Sequence, residues 1–437
     1  MNDGFDHYLQ AGHGRAYQIA KTDPERYREK IMEACRKDYT FDMQMEGSRA
    51  FLTADLIELF DDTKPFLDVV VESFLSEDVD NAYGQIQYLS DLLMEFDGRK
   101  TVLEKYIILR NKIKDTPREK LKERTSHLLD NWEYLAIKLI YDAPWKTAEN
   151  IIKDIGRWYI ATGDKEGREF LWFYSCLEEE YGEEETKDHI LEMAKTSKEA
   201  SEFCAHYTSY EWKSPASSET PPTADEVVKI FASGKELKGI DIIHMGIRKM
   251  SEEEKQKLAK IAVETDSLAL RSQIVSLYFT DQMKWPLEVS YLISWCGEND
   301  ASLCDACEEA LSLFESDEIR EYAISNKSIE LIIRNFRPED EDLLMSLLEK
   351  VDIDEEDENN WHGIGRMIIQ CKLPDRFLCW VYETTLCSFC RQSVVEDLME
   401  RGTLPEEYRK ECRWDARLEI RNLVDECEEK YDTGRKQ

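Results

Sequence analysis

An all-helical chain, folded as an α-α superhelix of stacked helical hairpins, is predicted by three observations. Apolar residues return every three or four positions, as in Leu52, Leu56 and Leu59 or Leu303, Cys307, Leu311 and Phe314, which is the period of a helix with one buried face. Helix-start signatures recur along the chain. Sustained apolar-polar alternation, the mark of a half-buried strand, is missing: the one short candidate, Ile240 to Met245, is broken by Asp241 and His244 and has no partner nearby.

The start signatures are Thr22 with Pro24 and Glu25, Thr116 with Pro117 and Glu119, Thr223 with Glu226, Ser251 with Glu254, and Thr403 with Pro405 and Glu406. Each joins a capping oxygen to an acidic residue three positions on, so that two otherwise unbonded amides are satisfied reciprocally. In three of them Pro stands in the first turn, where its missing N–H leaves no helical bond unmade. Helices of moderate length are expected before residue 213 and shorter ones after 223. Between them, Lys213 to Thr223 reads KSPASSETPPT and has no apolar face to bury, as in a linker. The expected organisation is an amino-terminal helical domain, 1–212, a linker, 213–223, and a repeat domain, 224–437.

Short amphipathic helices cannot bury their stripes singly, and stacking them as consecutive hairpins gives one continuous core. The stretch Asp300 to Asn326, DASLCDACEEALSLFESDEIREYAISN, has a first helix with Ala and Leu on one face, an acidic turn and a second helix. It resembles a HEAT repeat, and the resemblance is clearest over about 250–430. The resemblance implies a HEAT-like solenoid serving as a curved scaffold for proteins. Some HEAT-like proteins act on DNA through a basic concave face, of which this sequence gives no sign.

Charge narrows the function further. Against 57 Lys and Arg stand 92 Asp and Glu, a formal charge of −35 that repels a phosphate backbone, so no nucleic-acid partner is expected. The 16 Phe, 20 Tyr and 10 Trp supply a folded core despite that charge. The opening MNDGFDHYLQAGHGR lacks the basic segment and apolar run of a secretory signal, and no stretch approaches about 18 uncharged apolar residues. The expectation is a cytoplasmic protein with no membrane partner and reduced cysteines. With no long coiled-coil repeat, it is expected to be a monomer. No cofactor is expected.

Several residue groups invite a chemical role. Four thiolates from Cys304, Cys307, Cys387 and Cys390 would suit tetrahedral zinc. Each CxxC pair is expected inside a helix, however, on the face of Leu303 and Leu311 or of Val394 and Leu398, and a regular helix keeps for itself the amides that a zinc turn offers to sulfur. Packing is the favoured role. His362 with Cys371 or Cys379 has no specific ligand spacing, and the acidic run Asp352 to Glu358 lacks the glycine and oxygen pattern of a calcium loop.

The amino-terminal HYLQAGHGR combines His7, His13 and Arg15 with Gly12 and Gly14 before a helix. Such a start can receive an anion, with His13 exchanging a proton near neutral pH; a surface turn capped by its own side chains is favoured over that. Farther on, DYTFDMQMEGSR sets Asp42, Glu46 and Arg49 along one side of a helix that begins before Asp42. Two carboxylates one turn apart suit acid and base work. The favoured account is a salt-bridge cluster around Arg49, with Gly47 admitting a second helix. Trp132, Tyr134, Tyr141, Trp145, Trp158, Tyr159, Trp172, Phe173 and Tyr174 are expected to be core, although such a concentration can also frame a peptide groove.

Two functions remain. The leading one is a protein-binding scaffold or adaptor whose curved, acidic surface steers a basic protein partner. The alternative is an enzyme or small-ligand receptor for a phosphorylated or anionic substrate, with His13, Arg15, Asp42, Glu46 and Arg49 as its catalytic residues.

Overall fold

The computed structural model describes residues 4–41, 46–80, 82, 84–121, 127–163, 170–209, 221–232, 247–280, 282–351 and 358–434. Among the described residues every regular element is an α or 3-10 helix and no strand occurs. Among the described residues, too, no helix is long and apolar enough to cross a membrane. The segment Ile240 to Met245 and most of the expected linker lie outside the described residues.

Two of the five start signatures act as caps. Ser251 Oγ accepts the Glu254 N–H at 3.2 Å and opens the helix Glu252–Glu264. Thr223 and Glu226 bond reciprocally before Ala224–Ala232. Thr22, Thr116 and Thr403 instead close the preceding turns, with the Thr22 and Thr116 hydroxyls on the Ile19 and Lys112 carbonyls and the Thr403 amide on that of Leu398. Their prolines start the next element alone. The stretch chosen as a repeat forms two helices, Ala301–Leu311 and Asp317–Asn326, capped by Asp300 and Ser316.

Backbone contacts divide the chain into two compact units, Met1–Glu211 with Thr384–Gln437, and Trp212–Glu383. The chain re-enters the first unit at Thr384, inside the span that the sequence assigns to the repeat domain. In the first unit Lys64–Leu75 packs on the next helix, Gln85–Glu95, and Arg99–Asp115 on Leu128–Ile140, while Trp145–Thr162 packs past two intervening helices on Lys198–Ser209. The last pair crosses closely because a Cβ on Gly156 would fall 2.0 Å from the Glu199 carbonyl oxygen. Phe66, Val70 and Phe74, spaced four apart, are fully buried on one face of their helix, each contributing about 1.5–3 kcal/mol by leaving water.

Most of the clustered aromatics are core: Trp132, Tyr134, Trp158, Tyr159, Phe173 and Tyr174 are buried, with Trp132 and Tyr159 edge-on to Phe170. Trp172 is the exception, at 49% exposure. In the second unit Leu268–Thr280 packs on Glu252–Glu264 and on Ala301–Leu311, and Ile329–Arg334 on Asp317–Asn326. Cys307 lies buried with Leu303, Ala310 and Leu311 on the inner face of its helix, as the spacing predicts.

Candidate functional site

The amino-terminal segment HYLQAGHGR forms the helix Phe5–Gln10, a turn, and the helix Arg15–Ala20. Gly12 sits at φ +63°, and a Cβ on Gly14 would lie 1.8 Å from the Glu411 carbonyl oxygen. Only glycine lets the 411–416 backbone press this close, and the Ala416 N–H then donates to the Gly12 carbonyl at 2.9 Å. Side chains complete the seam. Arg391 makes a fork to Asp415 at 2.7 and 3.1 Å, both side chains being fully buried, and donates to the carbonyls of Ala11 and Gly12 at 3.0 and 3.1 Å. Arg15 holds Glu411 at 2.6 and 3.0 Å and the Tyr8 hydroxyl at 2.7 Å. Tyr17 stacks on Trp414 at 3.7 Å.

The expected surface turn is therefore a buried seam, made so by two glycines that remove the Cβ atoms in its way. His13 is 1% exposed, and its Nδ1 accepts the Arg15 backbone N–H at 3.0 Å. Burial, and then the charges of Arg391 and Arg15, hold its pKa well below the ordinary histidine value. At neutral pH it is an uncharged acceptor with its proton on Nε2, so the proton exchange of the less favoured anion-site reading does not arise.

Asp42 lies outside the described residues. Glu46 and Arg49 are together but share no helix: the helix begins at Ala50, with Arg49 in the capping position. Glu46 accepts from Arg49 Nη2 at 2.9 Å and from Ser388 Oγ at 3.0 Å, while the same Nη2 donates to the Leu386 carbonyl at 2.7 Å. No second helix approaches Gly47, since a Cβ there would meet nothing within 4 Å. Gly47 instead lines a cavity.

That cavity has a volume of about 470 Å³. Its walls carry three carboxylates, Asp38, Glu46 and Asp91, and the rings of Tyr88, Tyr134, Tyr141 and the exposed Trp172. Two of the carboxylates are matched. Glu46 has Arg49, and Asp91 pairs with Lys138 at 2.6 Å while accepting the Tyr134 hydroxyl at 2.8 Å. The Lys138 ammonium lies 5.2 Å from the Tyr134 ring centroid, so one ring already holds a cation. Asp38 has no ion-pair partner among the described residues; its Oδ1 accepts only the Thr40 amide and hydroxyl, at 3.0 and 2.8 Å. Burial pushes its carboxyl pKa up, against the opposing effect of those two bonds and of Arg49.

Of the residues expected from sequence, Glu46 reaches the cavity wall and Arg49 stands behind it. His13 and Arg15 belong to the seam and do not line the cavity. Gly12 joins the two regions, because a Cβ on it would lie 3.1 Å from Arg49 Cδ. The second CxxC pair is also placed differently from expectation. Cys387 is not inside a helix but caps Ser388–Arg401, its Sγ accepting the Cys390 N–H at 3.4 Å. The break arises at Thr385, whose hydroxyl takes the Cys387 amide at 3.1 Å and turns the chain. Cys387 and Cys390 belong to the first unit, Cys304 and Cys307 to the second.

Asp38, Asp91 and Lys138 were not singled out by sequence, nor were Arg391 and Asp415. Asp91 and Lys138, and Arg391 and Asp415, find each other from separate segments, and the Asp38 carboxylate has only Thr40 beside it among the described residues. Compared with protein-family models, curated proteins and solved structures, the chain shows no match.

Proposed function

We propose that this chain is a protein-binding helical scaffold and that the cavity of its first unit takes a lysine or arginine side chain from a basic partner. Asp38 is the observation that carries the proposal: a part-buried carboxylate with no ion-pair partner among the described residues, in a cavity walled by tyrosines and rimmed by an exposed tryptophan. A guanidinium or ammonium entering there gains an ion pair with little competing water and meets aromatic faces suited to cations. The overall charge of −35 adds long-range attraction for a basic surface. A HEAT-like solenoid is the architecture proposed for the scaffold, supported by helices that pack on near neighbours in sequence.

The test is a pair of peptides, one with a central arginine and one with citrulline, which keeps the shape and removes the charge. The arginine peptide is expected to bind at least tenfold more tightly, and Asp38→Asn to remove that preference. Equal affinity for the two peptides refutes the cavity's role.

One observation favours the second function, an enzyme or receptor for an anionic substrate. Arg49 is 3% exposed, yet its Nε and Nη1 have no hydrogen-bond partner among the described residues, leaving donors for an anion or a water. Phosphate protection of the chain against thermal unfolding, lost in Arg49→Gln, is the result that this alternative requires.

A further inference from the structure

The first unit holds a second cavity of about 500 Å³, of opposite character, between the helices Arg99–Asp115, Leu128–Ile140 and Trp145–Thr162. In a chain with 35 more negative than positive charges, its described lining carries three cations, Arg110, Lys114 and Arg157, against one carboxylate, Asp154. Both arginines are held on that carboxylate. Arg110 Nη1 reaches Asp154 Oδ2 at 2.9 Å, Arg157 Nη1 bonds Oδ1, and the Tyr106 hydroxyl donates to Oδ2 at 3.3 Å. Arg157 also lies 3.9 Å from the half-exposed Glu199, too long for a hydrogen bond.

Asp154 thus aligns two guanidinium groups, and Glu199 shares the charge of Arg157 at ion-pair distance. Lys114, exposed near the end of its helix, adds a third positive charge. The rest of the lining mixes apolar residues, Leu121 and Ala161 among them, with the polar Asn111, Thr116 and Thr162. Trp132 and Trp158 both contribute to the wall, and the indole N–H of Trp158 is buried with no hydrogen-bond partner among the described residues. Structural arginines usually face a matching number of acids, and a core tryptophan usually finds an acceptor. Here both kinds of donor are in excess around a single space.

We propose that this cavity binds a small planar anion, an aromatic ring bearing one carboxylate or phosphate group. The ring would lie against Trp158 and Leu121, and the anionic group would meet Arg110, Arg157 and Lys114. Free aromatic acids and mononucleotides share that chemistry. The inference does not depend on the acidic cavity: no residue lines both.

The experiment titrates the full chain with 2-naphthoate, with neutral 2-naphthamide, and with AMP and adenosine, following tryptophan fluorescence and heat. Naphthoate is expected to bind at least tenfold more tightly than the amide. Arg110→Gln is expected to weaken it at least fivefold and Lys114→Gln about threefold, whereas Asp38→Asn leaves it unchanged. Since Lys114 is solvent-exposed, its variant tests the charge without threatening the fold. AMP binding with no binding of adenosine assigns the site to mononucleotides, and naphthoate binding without AMP assigns it to aromatic acids. Equal affinity for naphthoate and its amide overturns the proposal, as does no binding of either anion at millimolar concentration. Retention of naphthoate affinity in both charge variants does so too.

Discussion

The seam and the acidic cavity of the first unit use the same residue types for opposite ends. In the seam, Arg391 and Arg15 each find a carboxylate, Asp415 and Glu411, and Arg391 spends its remaining capacity on the carbonyls of Ala11 and Gly12. In the cavity, three carboxylates meet two cations, and Asp38 is left over. A charge that is buried and matched holds segments together; one that is buried and unmatched costs stability and persists where something else supplies the match. Glu46 belongs to both, since Arg49 and Ser388 hold it while it lines the cavity.

Breaking the seam is expected to have the largest effect. Arg391→Ala leaves Asp415 fully buried and uncompensated, at a cost of about 3–5 kcal/mol. The double change Arg391→Met with Asp415→Leu is expected to recover most of that loss, because the desolvated pair vanishes together. Gly14→Ala follows, at about 1–3 kcal/mol, since its Cβ meets a backbone carbonyl that no rotamer can move. Urea midpoints at unchanged slope measure both. Arginine-peptide binding, scaled to the folded fraction, is expected to survive them. If Gly14→Ala unfolds at the wild-type midpoint, the backbone contact is not what closes the seam.

Changes in the cavity are expected to show the reverse. Asp38→Asn removes an unmatched part-buried carboxylate, so stability holds or rises by up to about 1 kcal/mol while affinity for the arginine peptide falls about tenfold. Trp172→Ala, at the exposed rim, is expected to weaken the same peptide three- to fivefold with no change in midpoint. A loss of stability in Asp38→Asn, larger than the loss of binding, reverses the contrast between the two regions.

Helical class was readable because its signal is local: a period of 3.6, caps three residues apart, and no alternation. The capping pairs at Thr223 and Ser251 show how far that extends, and Thr403 shows where it stops, since the same residue pattern there finishes one helix instead of opening the next. The Glu46–Arg49 pairing was legible from a spacing of three, though not its loop, because Glu46 to Ser48 are irregular and the helix starts only at Ala50. Cavity and seam were not legible. Arg391 meets Gly12 across 379 positions, and Asp91 meets Lys138 across the space between two helices, distances at which a single sequence carries no pattern. His13 was noticed for its chemistry and misplaced for its environment: glycine on either side reads as flexibility in sequence and proves to be clearance for another backbone.

The smallest expected effect, and the one that separates the two regions most cleanly, is in pH. His13 has a folded pKa well below its ordinary 6.5, so as pH falls the unfolded chain takes up the proton first. Its contribution to stability is complete above about 6.5 and is lost as pH falls from there toward the folded value. Asp38 has the opposite sign. Its folded pKa lies above the ordinary 3.8, so the folded chain takes up the proton first; that contribution is present below 3.8 and lost as pH rises through the raised value. His13→Asn, which keeps an acceptor for the Arg15 amide, is therefore expected to flatten the decline in urea midpoint between about pH 7 and 5. Asp38→Asn is expected to steepen the rise in midpoint from the carboxylate range upward. Peptide binding follows Asp38 alone: a cation prefers the ionised carboxylate, so affinity grows as pH climbs through the raised pKa, and His13→Asn leaves that growth intact. Should His13→Asn abolish the pH dependence of binding while Asp38→Asn does not, the charge that recognises the partner lies in the seam and not in the cavity.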